Sequence, residues 1–225
     1  MRRSLVAAAL IVSFGAGYAA NTVKYQLDLK RLRAERLADP SHSAAYLHRS
    51  SLFRTLPSGP TTVMIGDSLT ASGNWDELLG PSVANRGISG DTTLGVLNRL
   101  AGSIPPSTRR VFLMIGTNDL KNYHARPKAV AAQTARIVEQ LASKQVYLQS
   151  VLLTRSPVQN SQIRDLNSLN QALCTTGVCT YVDLNAVVAP NGTLSRQVSV
   201  DGLHVGGEGY RLWADRIRPL IAAPN

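Results

Sequence analysis

A serine, a histidine, an aspartate and an asparagine stand in this sequence where packing alone does not call for them. Ser68 closes the cluster Gly66-Asp67-Ser68, directly after the apolar run Val63-Met64-Ile65. Asp201 and His204 lie three apart in Asp201-Gly202-Leu203-His204. Asn118 falls in Gly116-Thr117-Asn118-Asp119, and Gly90 in the stretch from Asn85 to Asp91. A serine hydroxyl is a weak nucleophile until a base takes its proton, and an imidazole is a natural base. Residues three apart in a turn or helical start face each other, so Asp201 can fix the His204 tautomer and support its positive charge. Acyl transfer also needs donors aimed at the oxyanion. The candidates are the backbone N–H groups of Ser68 and Gly90 and the side-chain amide of Asn118. Each element has a bland reading too. Gly-Asp-Ser is commonly a turn or helix cap, a lone Asn bonds its own backbone, and Asp-x-x-His caps a helix beside a surface histidine.

The elements around these clusters decide between the readings. Apolar runs at 61–66, 82–87, 109–116, 145–153 and 179–184 read as strands. Helical patterns fall between and after them, near 74–80, 92–102, 126–143, 160–174 and 207–221. Short strands alternating with amphipathic helices imply βαβ units, so we expect an α/β fold with a five-stranded, mostly parallel sheet. Such sheets bind ligands at the carboxyl ends of their strands. Ser68, Gly90 and Asn118 each follow a strand and His204 precedes the last helix, so all four are expected on one rim.

Together the blocks resemble the SGNH, or GDSL-type, hydrolase superfamily. Its four named residues match here as Ser68, Gly90, Asn118 and His204, with Asp201 three residues before the histidine. The resemblance covers about residues 57–221 and is similar in phrasing to the branch around platelet-activating-factor acetylhydrolase and bacterial lysophospholipase-like esterases. It implies a flavodoxin-like three-layer α/β/α sandwich and ester hydrolysis through an acyl-serine. It implies no metal and no organic cofactor. Gly66-Asp67-Ser68-Leu69-Thr70 lacks the second glycine of G-x-S-x-G, which argues against an α/β-hydrolase elbow. Other candidates read as structural. His124 reads as a loop residue, Asp91 and Arg86 as supports of the Gly90 loop, and Trp75, Tyr210 and Trp213 as packing. The run Gly206-Gly207-Glu208-Gly209 reads as entry to a helix.

The net charge of +10 suggests a nucleic-acid binder until it is located. Residues 1–56 carry nine Lys/Arg against three Asp/Glu, so most of the excess sits in a quarter of the 225-residue chain. The body is mildly basic and aromatics are only 5%, too few for a base-stacking platform. No nucleic-acid partner is expected. Arg2 and Arg3 precede an uncharged run from Ser4 to Val23, closed by Lys24. As a helix it spans about 30 Å, a bilayer core. Residues 1–23 therefore read as a transmembrane signal anchor or a cleaved signal peptide, the length favouring the anchor. Residues 24–56 read as a basic juxtamembrane helix and linker, with His42 and His48 exposed, and 57–225 as the hydrolase domain. The expected location is membrane-anchored on the extracytoplasmic side, or secreted after cleavage. Cys174 and Cys179 flank Gly177, so a disulfide and two free thiols are both open, and without matching His or Cys pairs they do not make a zinc site.

The expected activity is a short-acyl serine esterase, with acetyl groups on envelope carbohydrate as substrates by analogy. Two alternatives remain: a lysophospholipase or thioesterase for longer chains, and a non-catalytic glycan- or lipid-binding module. Oligomeric state is unknown.

Overall fold

The computed structural model describes Thr22, Pro40, residues 43–56 and residues 59–222. The chain divides into two compact units, Met1–Ala38 and Asp39–Asn225, and all elements named below lie in the second. Five parallel strands form one sheet: β1 (Thr62–Gly66), β2 (Val83–Gly87), β3 (Arg110–Met114), β4 (Gln145–Gln149) and β5 (Thr180–Val182). Their order is β2-β1-β3-β4-β5. This is the flavodoxin-like arrangement, and its switch point lies where the chain leaves β1 and β3. In register, Gly66 pairs with Gly87 on one side and Met114 on the other, so the cluster after β1 opens between two other strand ends.

The central strands β1 and β3 are buried along their whole length, on both faces. Alternate residues feed two cores. Met64, Phe112 and Met114 face one side with Trp75, Trp213 and Ile217. Val63, Ile65, Val111 and Leu113 face the other with Val96, Leu100, Ile137 and Leu141. Period-two side-chain alternation in strands covered on both sides is the physical basis of a three-layer sandwich. Each fully buried side chain of this size contributes about 1.5–3 kcal/mol of transfer energy.

Nine helices are described: α1 (Ala44–Thr55), α2 (Ser68–Ala71), α3 (Trp75–Leu79), α4 (Thr93–Ser103), α5 (Thr117–Lys121), α6 (Pro127–Gln140), α7 (Pro157–Cys174), α8 (Asn185–Val188) and α9 (Gly207–Ala222). The longer ones start where sequence chemistry directs. Thr92 caps α4 by accepting from the Gly95 N–H at 3.1 Å. Ser156 caps α7, with Pro157 in the first turn, where a missing N–H costs nothing.

Two expectations need adjustment. Residues 44–55, read from sequence as linker, form α1, whose Ser43 cap accepts from Tyr46 N at 3.2 Å. This helix packs on α4, burying Tyr46 and Phe53. The Tyr46 hydroxyl donates to the Gly95 carbonyl at 2.7 Å. Arg86, expected to support the Gly90 loop, makes no hydrogen bond to it among the described residues; its Nη1 donates to the Asn85 carbonyl at 3.1 Å. It is buried with its guanidinium 5.2 Å from the Phe53 ring centre, with Arg99 at 5.5 Å, so it seats α1. Among the described residues, no helix is long and apolar enough to cross a membrane. The transmembrane segment expected within residues 1–23 lies outside the described residues, Thr22 apart, as does the basic helix expected just after it. Cys174 and Cys179 form a disulfide, closing the turn after α7.

Candidate active site

Ser68 owes its position to Gly66 and Asp67. A side chain at Gly66 would collide with the Met114 carbonyl and with Thr70, so only glycine lets the turn close against β3. Asp67 is the N-cap of α2, accepting from Leu69 N at 3.0 Å. The four-residue helix thus begins at Ser68, and the bland reading of Gly-Asp-Ser as a cap is true of Asp67 while leaving Ser68 free.

Across the rim, Asp201 folds its loop around itself. Its Oδ1 accepts from the backbone N–H groups of Leu203 and His204 at 2.9 and 2.8 Å. Its Oδ2 lies 2.7 Å from His204 Nδ1, and His204 Nε2 lies 3.0 Å from Ser68 Oγ. With Nδ1–H donating to the carboxylate, Nε2 is left as the acceptor facing the serine hydroxyl. The hydrogen bond from the His204 ring, followed by the two backbone N–H groups, holds the Asp201 carboxyl well below the usual carboxylate range. It is therefore ionised and able to support an imidazolium.

Asn118 is buried at the start of α5. Its Nδ2 donates to the Asp91 carbonyl at 2.8 Å, and its Oδ1 accepts from Asn122 Nδ2 at 2.9 Å. These two bonds orient the amide and leave one N–H for a ligand. The backbone N–H groups of Ser68 and Gly90 have no hydrogen-bond partner among the described residues. Gly90 adopts φ +79°, a conformation strained for any residue with a side chain, although space for one exists. Ser68, Gly90, Asn118 and His204 all line one cavity of about 540 Å³ at the carboxyl rim, with Leu69 and Leu203 beside them. The hollow of about 580 Å³ near Arg109 and Lys144 lies at the opposite ends of the strands and contains none of these residues.

Behind the rim sits a layer of buried carboxylates. Asp91 accepts from Arg99 Nε at 2.8 Å and from Thr92 N at 2.9 Å. Burial pushes its carboxyl up to about 6 although Arg99 pulls it back. Asp119 accepts from the N–H and hydroxyl of Thr93, tying α5 to α4, and burial raises it too. Asp67 is pushed up to about 7, chiefly by burial, with one carboxyl oxygen lacking any partner.

The structure brings together every site residue expected from the sequence: Ser68, Gly90, Asn118, Asp201 and His204. Asp91 supports the Gly90 loop as expected. His124 is exposed and does not line the cavity. Trp75, Tyr210 and Trp213 pack edge to face and stacked, and the Tyr210 hydroxyl donates to the Leu69 carbonyl at 2.8 Å, tying α9 to the serine turn. Several supports went unread. Asn85 Nδ2 donates to the Ala71 and Gly73 carbonyls, clamping the end of α2. Arg155 clamps the other loop, with Nη2 donating to the Ser199 carbonyl at 2.6 Å, Nη1 to Val200 at 3.3 Å, and its backbone N–H to Gly202 at 2.8 Å. No local pattern announces such long-range bonds. Asn85 carried a hint, as a polar residue in the middle of a buried strand.

A hydroxyl, an imidazole and a carboxylate in line at the rim of a parallel sheet make this a hydrolase architecture. The chain belongs to the GDSL-like lipase/acylhydrolase family, whose model matches residues 64–212, and it is an enzyme of that hydrolase type. A GDSL-like lipase of Bacteroides thetaiotaomicron superposes with a TM-score of 0.65 at 23% identity, over 78% of this chain and 96% of that one. Est24, a carbohydrate acetylesterase of Sinorhizobium meliloti, does so with a TM-score of 0.59 at 17% identity, over 72% and 98%. These likenesses show the shared fold. In sequence, the N-acylneuraminate cytidylyltransferase of Streptococcus agalactiae serotype V is 23% identical over 169 residues, 70% of this chain. The chain spans only 40% of that relative's length.

Proposed function

We propose that this chain is a serine esterase that removes short, acetyl-sized acyl groups, with acylated carbohydrate as the substrate class. Ser68 Oγ attacks the ester carbonyl carbon while His204 Nε2 accepts the hydroxyl proton. The oxyanion is held by the N–H groups of Ser68 and Gly90 and the Asn118 amide. As the tetrahedral intermediate collapses, His204 protonates the departing alcohol, leaving the acyl group on Ser68. Water then repeats the sequence, giving its proton to His204, and the acid departs as Ser68 regains a proton. Asp201 keeps the imidazole in the required tautomer.

The observation that carries the short-acyl reading is the cavity wall. Among the described residues that line it, only Leu69 and Leu203 carry bulky apolar side chains, and Leu69 is itself buried in the core, so a long acyl chain finds little to bury against. The carbohydrate reading is supported by the likeness to Est24, a carbohydrate acetylesterase, and by the acylated sugar handled by the Streptococcus relative. The Cys174–Cys179 disulfide supports work in an oxidising, extracytoplasmic compartment.

The test is hydrolysis of p-nitrophenyl esters from acetyl to long-chain acyl, beside Ser68→Ala and His204→Ala. Turnover of the acetyl ester that falls with chain length and collapses in both variants is the expected result. Turnover rising with chain length would replace it with the lysophospholipase or thioesterase reading. No Ser68-dependent turnover on any ester would leave the binding-module reading in its place.

A further inference from the structure

The cavity at Ser68 contains one lysine and no arginine or carboxylate. Lys121 lines it on the same side as Asn118. The two are three residues apart on α5, so they share a helix face, and the lysine stands beside the candidate oxyanion donor. Neutral donors, Ser72, Ser89 and Asn122, complete that part of the wall. Lys121 has no ion-pair or hydrogen-bond partner among the described residues. Some exposed cations are paired, Arg211 with Glu208 and Asp215 and Arg218 with Asp215, while others among the described residues, such as Lys128, are not, so what distinguishes Lys121 is its place on the cavity wall. The carboxylate two residues before it, Asp119, is committed to Thr93 behind the rim. A lone ammonium at a cavity mouth without a neighbouring anion creates a local positive potential that draws anionic ligands.

We propose that this site selects short-acyl esters whose alcohol part carries an anionic group, a carboxylate or phosphate, with Lys121 as the residue that meets it. This rests on the esterase reading of Ser68. The competing role for Lys121 is local: a cation in the last turn of α5 complements the partial negative charge of the helix end. That role affects folding and leaves substrate discrimination untouched, so the two separate in one experiment.

The experiment compares kcat/KM for 4-acetoxybenzoate against its methyl ester, a pair that shares the acetyl group and differs by one anion on the alcohol side. The full chain is tested beside Lys121→Gln, Lys121→Glu and Lys121→Arg, with melting temperatures recorded for each. The wild type favours the anionic ester at low salt, and Lys121→Gln lowers the anionic-to-neutral ratio by about fivefold. Lys121→Glu lowers it further, Lys121→Arg keeps it, and raised ionic strength weakens it in the wild type. A ratio that Lys121→Gln leaves unchanged, with or without a shift in melting temperature, would overturn the proposal. Failure of the wild type to turn over either ester would instead defeat the esterase reading, and this selectivity with it.

Discussion

Asp201 and Asp67 lie on opposite sides of the Ser68–His204 pair, and their surroundings drive them in opposite directions. Asp201 has a half-exposed side chain, and its oxygens accept from the His204 ring and two backbone N–H groups. Those bonds favour its charged form, so it is ionised. Asp67 is sealed from water, accepts from one N–H, and leaves an oxygen unpartnered, so burial favours its neutral form. Asp91 and Asp119 are buried like Asp67 but more fully bonded. A carboxylate that must answer a developing imidazolium has to be charged beforehand, and a half-exposed, well-bonded position achieves that. The buried layer serves to fix loops, where neutrality is tolerated.

Substitutions on the two sides should therefore fail in different ways. The largest effect is expected from Asp201→Asn, which keeps the shape but offers the ring a donor and so favours the wrong tautomer. We expect kcat to fall on the order of 10⁴ with the melting temperature little moved, measured on p-nitrophenyl acetate and by thermal denaturation. A change of tenfold or less would remove Asp201 from the mechanism. Next comes Asn118→Ala, which takes away an oxyanion donor and should cost about 10²–10³ in kcat. In the buried layer, Asp91→Ala strands the Arg99 guanidinium and should lower stability by about 3 kcal/mol in urea titration. Arg155→Ala frees the loop bearing Asp201 and His204. It should lower kcat about tenfold with KM nearly constant, since misplacement of a base harms the reaction more than ground-state binding.

The smallest effect is a pH dependence. The ordinary Asp carboxyl titrates near 3.8, while Asp67 in the folded chain titrates at about 7. Between these values the folded state holds a proton that the unfolded state has lost, so stability falls as pH rises. Asp67→Asn cannot ionise and should flatten the decline between pH 5 and pH 8 by on the order of 1 kcal/mol. Asp91 acts in the same direction up to about pH 6, so part of the slope persists. An unchanged slope in Asp67→Asn would mean that Asp67 is already ionised in the folded chain.

The sheet was legible because its strands are continuous apolar runs between turn signals, and the site because its residues cluster at strand ends. The short helices α2 and α5 were not, since each is hidden in the polar cluster directly after a strand, whereas α3, as short as α5, follows a separate turn and was read. The seating of α1 was hidden by its composition: Tyr46 and Phe53 bury themselves among leucines that stay exposed, such as Leu47 and Leu52. The supports supplied by Asn85, Arg155 and Arg99 bond partners as much as 45 residues away, distances over which sequence spacing carries no information.

The central claim is that Ser68 is an activated nucleophile. The most direct measurement is labelling with a fluorophosphonate, followed by peptide mapping. We expect one adduct, on the peptide containing Ser68, no adduct in Ser68→Ala, and strongly slowed labelling in His204→Ala. An unlabelled wild-type chain, or an adduct on any other residue with Ser68 unmodified, would contradict the account.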